Sequence, residues 1–178
     1  MERVLVMGSS GSGKSTFAQR LAKLTGLPFV SLDALYWQPG WQPSDPEAFH
    51  QRATAVANGS AWVIDGNYIS SGAGELRRAL ADTVIWFDLP RRLCLTGIMK
   101  RIVTTYGRVR PEMAPGCPEQ IDLEFIRYVW TYREQQRPKL LEYFKGLRRD
   151  QALICFTSRE QADDYLAAAK PAARAIVH

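Results

Sequence analysis

Residues 8–16, Gly-Ser-Ser-Gly-Ser-Gly-Lys-Ser-Thr, constrain the fold of this chain more than any other stretch. They fit the phosphate-binding pattern Gly-x4-Gly-Lys-Ser/Thr. They also stand between an apolar run, Val4 to Met7, and a segment where Phe17, Leu21 and Leu24 recur at helical spacing. A buried strand, a tight glycine loop and an amphipathic helix in that order predict successive backbone N–H groups wrapped around a polyphosphate. Glycine permits both the close approach and the φ angles this needs. The positive end of the following helix adds attraction for the anion. Gly8, Ser9, Ser10, Gly11, Ser12, Gly13, Lys14, Ser15 and Thr16 are the candidate nucleotide contacts. Lys14 supplies a point charge to the β- and γ-phosphates, and the Ser15 hydroxyl is a ligand for Mg²⁺.

The same alternation continues down the chain. Phe29–Leu32, Trp62–Ile64, Thr83–Phe87 and Ala152–Phe156 read as further buried strands. Helices are predicted from about Pro46 to Asn58, with Ser44 or Asp45 as cap, and from Pro90 to about Tyr106. Two more are predicted over 119–146, broken near Pro138, and over Glu160–Ala169. Strands alternating with helices predict an α/β fold, a three-layer arrangement with a parallel sheet covered on both faces and ligands at the carboxyl ends of its strands. A length of 178 residues suits one domain spanning 1–178. No apolar run is long enough for a membrane span, and the N-terminus reads as a strand rather than an export signal. Three scattered cysteines and two histidines make neither a disulfide framework nor a zinc site, so a reducing cytoplasm is the expected compartment.

Charge is unevenly placed. Thirteen basic and six acidic residues lie between 91 and 149, a surplus of seven against +5 for the whole chain, which leaves −2 elsewhere. Such a segment suits an anionic ligand, either nucleotide phosphates or a nucleic-acid backbone, and equally suits a solvated helix face. No helix-turn-helix, zinc-finger or basic-zipper pattern accompanies it. Asn-Lys-x-Asp and Leu-Ser-Gly-Gly-Gln are also missing from the sequence, which weakens a GTPase or transporter-ATPase reading.

The loop, the strand-end Asp33, the Asp65-Gly66 pair and the basic helix–loop–helix before the last strand resemble the adenylate-kinase-like branch of the P-loop kinases. Within it, residues 32–41 (Leu-Asp-Ala-Leu-Tyr-Trp-Gln-Pro-Gly-Trp) and 62–68 (Trp-Val-Ile-Asp-Gly-Asn-Tyr) are similar to bacterial proteins labelled "DNA topology modulation protein". The resemblance implies a five-stranded sheet of order 2-3-1-4-5, an acceptor-binding insertion at about 34–60 and a mobile lid at about 107–120. It implies an ATP- and Mg²⁺-dependent kinase of a small acceptor such as a nucleoside, nucleotide or other hydroxyl compound, acting as a monomer or homodimer. A nucleic-acid-associated ATPase, a DNA topology modulator and a kinase of oligonucleotide 5′-hydroxyls are the alternatives.

The resemblance also implies roles. Asp65 holds Mg²⁺, or else starts a turn. Asp33 orients or deprotonates the accepting hydroxyl, or else caps a helix. Tyr36, Trp37, Asn67 and Tyr68 are candidate acceptor contacts, the aromatics either stacking on a ring or anchoring loops. Adenylate kinases hold the phosphate of AMP with arginines at two places that here carry Tyr36 and Ile69, which argues against AMP as acceptor. Arg77 and Arg78 either rescue an anionic acceptor or lie on an exposed helix face. Arg101 matches the arginine that opens the lid, while Arg127, Arg133 and Arg137 follow it, the last two on one helix face. These arginines are candidates to close over the transferring phosphoryl group. Thr157-Ser158-Arg159 lies where relatives pass the adenine ring, with Ser158 the candidate nucleotide contact.

Overall fold

In the computed structural model, which describes residues 1–169, β1 (Arg3–Gly8) is the middle strand of a parallel sheet. That position explains its sequence. Val4 and Val6 point to one core, and Leu5 and Met7 to the other, so an unbroken apolar run is needed to cover both faces. β1 is flanked by β5 (Trp62–Asp65) and β6 (Thr83–Phe87). The outer positions are taken by β2 (Phe29–Ser31) and β7 (Ala152–Phe156). The order β2-β5-β1-β6-β7 is the expected 2-3-1-4-5 once only the five large-sheet strands are numbered.

One face is covered by α1 (Lys14–Thr25), α5 (Arg91–Thr105) and α8 (Arg159–Ala168). Phe17, Leu21, Ile98 and Leu166 pack there against Val6 and Ile85. The other face receives α3 (Pro46–Ala57), α6 (Leu123–Gln135) and α7 (Arg137–Lys145) through Ala53, Tyr132 and Leu140. Asp45 caps α3 by accepting from the Ala48 N–H at 2.9 Å, with Pro46 at the first helical position. Gly26, at φ 73°, ends α1.

Four differences from the sequence expectation bear on function. β2 stops at Ser31, because the Ser31 hydroxyl accepts from the Ala34 N–H and turns the chain into α2 (Leu32–Tyr36). Asp33 therefore stands in the first turn of a helix rather than at a strand end. A small antiparallel hairpin, β3 (Trp37–Gln38) and β4 (Gln42–Pro43), follows α2. The stretch expected to be helical from 119 begins at Leu123, capped by Asp122. Glu119 instead pairs across the loop, its N–H donating to Arg108 O and its carbonyl accepting from Gly107 N–H, each at 2.9 Å. The break falls at Gln136, so Arg133 and Arg137 lie on different helices and share no face.

The segment expected to be a lid is fastened to that hairpin. Trp37 and Trp41 pack against Met113, Ala114 and Cys117. Gly40 N–H donates to Gly116 O at 2.8 Å, and Trp41 Nε1 donates to Pro118 O at 2.9 Å. Among the described residues no helix is long and apolar enough to cross a membrane.

Candidate functional site

The glycine loop joins β1 to α1 and lies directly on α5. Gly11 has φ +76°, and a Cβ there would sit 2.1 Å from the Cys94 carbonyl oxygen. A Cβ on Gly97 would sit 2.1 Å from the Gly11 carbonyl oxygen. Two backbones touch here, which only glycine permits. α1 has Gly13 at its cap and no side-chain cap bond, and Phe17 N–H, on Gly13 O at 3.0 Å, is the first to join the helical ladder. The N–H groups of Lys14, Ser15 and Thr16 precede that ladder and are left for an anion. The buried Ser12 hydroxyl has no partner among the described residues.

Two side chains hold this loop in place. Asn67 closes on its first residue, accepting from Gly8 N–H at 2.9 Å and donating to Gly8 O at 3.1 Å. Arg159 donates to Gly11 O and Leu93 O at 2.8 Å each and to Ser12 O at 3.2 Å. Asn67, expected at the acceptor, is thus engaged in shaping the loop. Arg159, expected with Thr157 and Ser158 where relatives pass the adenine ring, holds the loop backbone. Ser158 itself caps α8, accepting from Gln161 N–H at 3.2 Å, and is absent from the described cleft lining.

Lys14 reaches across the loop mouth to Asp65, Nζ to Oδ1 at 3.0 Å, and to the Ser15 hydroxyl at 3.3 Å. Parallel pairing sets Asp65 beside Val6 and Ser31, at the carboxyl end of the sheet. Both partners are almost wholly buried. Burial works against the Lys14 ammonium, but Asp65 and Asp33 outweigh it and hold its pKa above the usual lysine value. Burial likewise lifts the Asp65 carboxyl above the usual carboxylate range, against the pull of Lys14 and the Ser15 hydrogen bond. Asp33 lies near enough to contribute to both, and it accepts a hydrogen bond from the Tyr68 hydroxyl at 2.8 Å. Burial and the adjacent Asp33 drive the Tyr68 phenol far above its usual range, so it is a permanent donor.

A cleft of about 540 Å³ opens over residues 10–17 and is bounded by Lys100, Arg101, Arg110, Glu112 and Arg159. Its donors suit a nucleotide triphosphate: open helix N–H groups, an orphaned Ser12 hydroxyl and several cations. Ser15 and Asp65 put two hard oxygen donors beside Lys14, the set that suits Mg²⁺. A larger cleft of about 1250 Å³ between α3, α7 and α4 (Gly74–Leu80) lies away from this chemistry.

The structure separates the candidate arginines. Arg101 faces the cleft and pairs with Glu119 at 2.9 Å. Arg110, which the sequence reading missed, joins it there. Arg137 is drawn off to Asp88, Nε and Nη2 spanning both carboxylate oxygens at 2.8 to 3.0 Å, with the guanidinium over the Trp86 ring. Arg127 and Arg133 are exposed on α6, outside the described cleft lining. Six of the 13 basic residues between 91 and 149 are ion-paired within the chain: Arg91, Arg101, Arg110, Arg137, Lys145 and Arg148. Only Asp88 and Asp150 among their partners lie outside the segment, so two of its seven surplus charges are engaged in this way.

Tyr36 packs edge-on against Trp37 and Phe49 and meets Tyr68 at 5.1 Å. It backs Tyr68, while Trp37 packs against residues 113–117. Arg77 and Arg78 are not on an exposed face. Arg78 lies over the Tyr143 ring. Arg77 is 0% exposed and donates to the carbonyls of Gly72, Asn67 and Tyr68, shaping the turn that presents Asn67 and Tyr68. Burial pushes its guanidinium down to about 10. Replacing it, Arg77→Met, removes the donor from one buried and two part-buried carbonyls and is expected to lower stability by about 3 kcal/mol. A fall in the denaturant midpoint at unchanged slope would register this.

Over 33 residues, 18% of its length, the chain is 52% identical to the shikimate kinase of Flavobacterium johnsoniae, and that stretch spans 19% of the relative. The shikimate kinase of Bacteroides thetaiotaomicron superposes with a TM-score of 0.52 at 16% identity, over 93% of this chain and 94% of the other. A gluconokinase from Sinorhizobium meliloti superposes with a TM-score of 0.52 at 17% identity, over 94% of this chain and 89% of the other. The fold is the α/β fold that these P-loop kinases share. No protein-family model matches the chain.

Proposed function

We propose that the chain is an ATP- and Mg²⁺-dependent phosphotransferase whose acceptor is the hydroxyl of a small, uncharged polyhydroxylated compound, such as a sugar, polyol or nucleoside. The observation that carries this reading is one group of side chains. Asp33, fixed by the Tyr68 hydroxyl at 2.8 Å, shares the loop mouth with the Lys14–Asp65 pair.

In this reading the polyphosphate lies on residues 8–16, and Lys14 leaves Asp65 for the β- and γ-phosphate oxygens. Ser15 and Asp65 would hold Mg²⁺, which when bound would supply charge neutralisation to the polyphosphate. Asp33 accepts the proton of the acceptor hydroxyl as the new O–P bond forms, the β–γ bridge breaks and ADP leaves. Arg101 and Arg110 stabilise the charge on the transferring group. An uncharged acceptor is supported by Tyr36 and Ile69, which replace two phosphate-binding arginines, and by Arg77, whose buried Nε and Nη2 are committed to backbone carbonyls. The finer kinship with proteins labelled for DNA topology modulation rests on residues 32–41 and 62–68 alone.

The test is ADP release from Mg-ATP across sugars, polyols, nucleosides, nucleoside monophosphates and a 5′-hydroxyl oligonucleotide, with Lys14→Ala as blank. Stimulation by an uncharged small acceptor is expected. Acceptor-independent turnover would replace the kinase reading with an ATPase. Stimulation by the oligonucleotide alone would make the basic segment a nucleic-acid track.

A further inference from the structure

Arg101 and Arg110 would repel each other if left alone, and the proximity of Arg110 does depress the Arg101 pKa, second to burial. What holds them together is Glu119. Its carboxylate accepts a hydrogen bond from Arg101 on Oε1 at 2.9 Å, and Oε2 ion-pairs with Arg110 Nε at 3.0 Å without a hydrogen bond. Glu119 is 5% exposed, locked by backbone bonds to Arg108 and Gly107, and lies behind the described lining of the cleft. Glu112 differs. It pairs with Arg110 at 2.8 Å but lines the cleft itself, an anion standing where a polyphosphate would lie. Arg110 is also close enough to Lys14 to oppose its charge, and the buried Arg101 Nε has no acceptor among the described residues. Two carboxylates thus grip one arginine from opposite sides, one outside the cleft and one within it.

We propose that Glu119 is the positioning residue that aims Arg101 and Arg110 at the polyphosphate. Glu112 is the resident counter-ion that Arg110 exchanges for the γ-phosphate when nucleotide enters. The proposal rests on the donor site described above but needs no acceptor. Removing Glu119 frees Arg101 and leaves Arg110 to Glu112 alone; removing Glu112 removes a competitor of the phosphate.

The two substitutions therefore have opposite signs. With Mg²⁺ present, Glu112→Gln is expected to bind adenylyl imidodiphosphate about threefold tighter. Glu119→Gln is expected to bind it about tenfold weaker, with ADP affinity changed less than about twofold in both. Affinity changes of the same sign, or none in either variant, would overturn the proposal. A purely structural role for Glu112 would not tighten binding. Should Glu119→Gln fail to fold, Glu112→Gln in an Arg110→Ala background decides. There the gain shrinks if Arg110 is exchanged, and an undiminished gain overturns the exchange. Both measurements are of binding alone, so failure of phosphoryl transfer to every acceptor would remove the kinase reading and leave this one standing.

Discussion

Lys14→Ala is expected to reduce phosphoryl transfer by roughly 10³-fold or more, because the charge it supplies acts where negative charge concentrates during transfer. The fold is expected to survive, since Lys14 belongs to the loop mouth and neither core contains it. Stability will nonetheless fall, because Asp65 remains buried with its counter-charge gone, a loss of about 3 kcal/mol at neutral pH. The sign with pH follows from Asp65. Its carboxyl is raised by burial even with Lys14 present, and removing Lys14 raises it further. A carboxyl with a raised folded-state pKa binds its proton more tightly in the folded chain than in the unfolded one. The deficit therefore disappears below the ordinary carboxylate range and grows as pH rises through the raised value. Thermal unfolding of both proteins across that range measures it. Adding Asp65→Asn should restore much of the stability and none of the turnover. Full turnover in Lys14→Ala would reject the donor site.

Asp33→Asn is expected to cost about 10²- to 10⁴-fold in kcat while leaving the KM for ATP nearly unchanged. The amide oxygen of asparagine still accepts from Tyr68, so the geometry at 2.8 Å is kept and only the capacity to take a proton is lost. Tyr68→Phe is the contrasting variant: it keeps the base and removes its support, and should lose about tenfold or less. If Asp33→Asn retains turnover within about threefold of the parent, Asp33 positions the acceptor without acting as its base.

What was legible in the sequence is what backbone requirements write into residue type. Gly8 to Thr16 could be read because a loop that wraps phosphate needs glycine, and β1 because a central strand must be apolar on both sides. Asp45 and Pro46 announced α3 for the same local reason. The arginines were not legible. Arg77 looks like half of a surface Arg-Arg pair, and only the carbonyls of Gly72, Asn67 and Tyr68, brought round by a turn, make it a buried residue. Arg137 was assigned to a helix face that the break at Gln136 abolishes, and Asp88, 49 positions away, captures it. Arg110 and Glu119 meet through pairing of 106–109 with 118–119, and no local spacing encodes that. Arg159 was legible as a place after the last strand, but its three carbonyl partners were not.

The fastening of residues 113–118 to the β3–β4 hairpin has a thermodynamic consequence. The hairpin belongs to the element that frames Asp33, whereas residues 110–112 frame the polyphosphate cleft. Joined by Trp37, Trp41 and the Gly40–Gly116 bond, the two walls are one packed unit. If the proposed acceptor and nucleotide sites both order this unit, the first ligand would bear that cost and the second would be spared it. Linkage would then require that acceptor and nucleotide each strengthen the other's binding by the same factor.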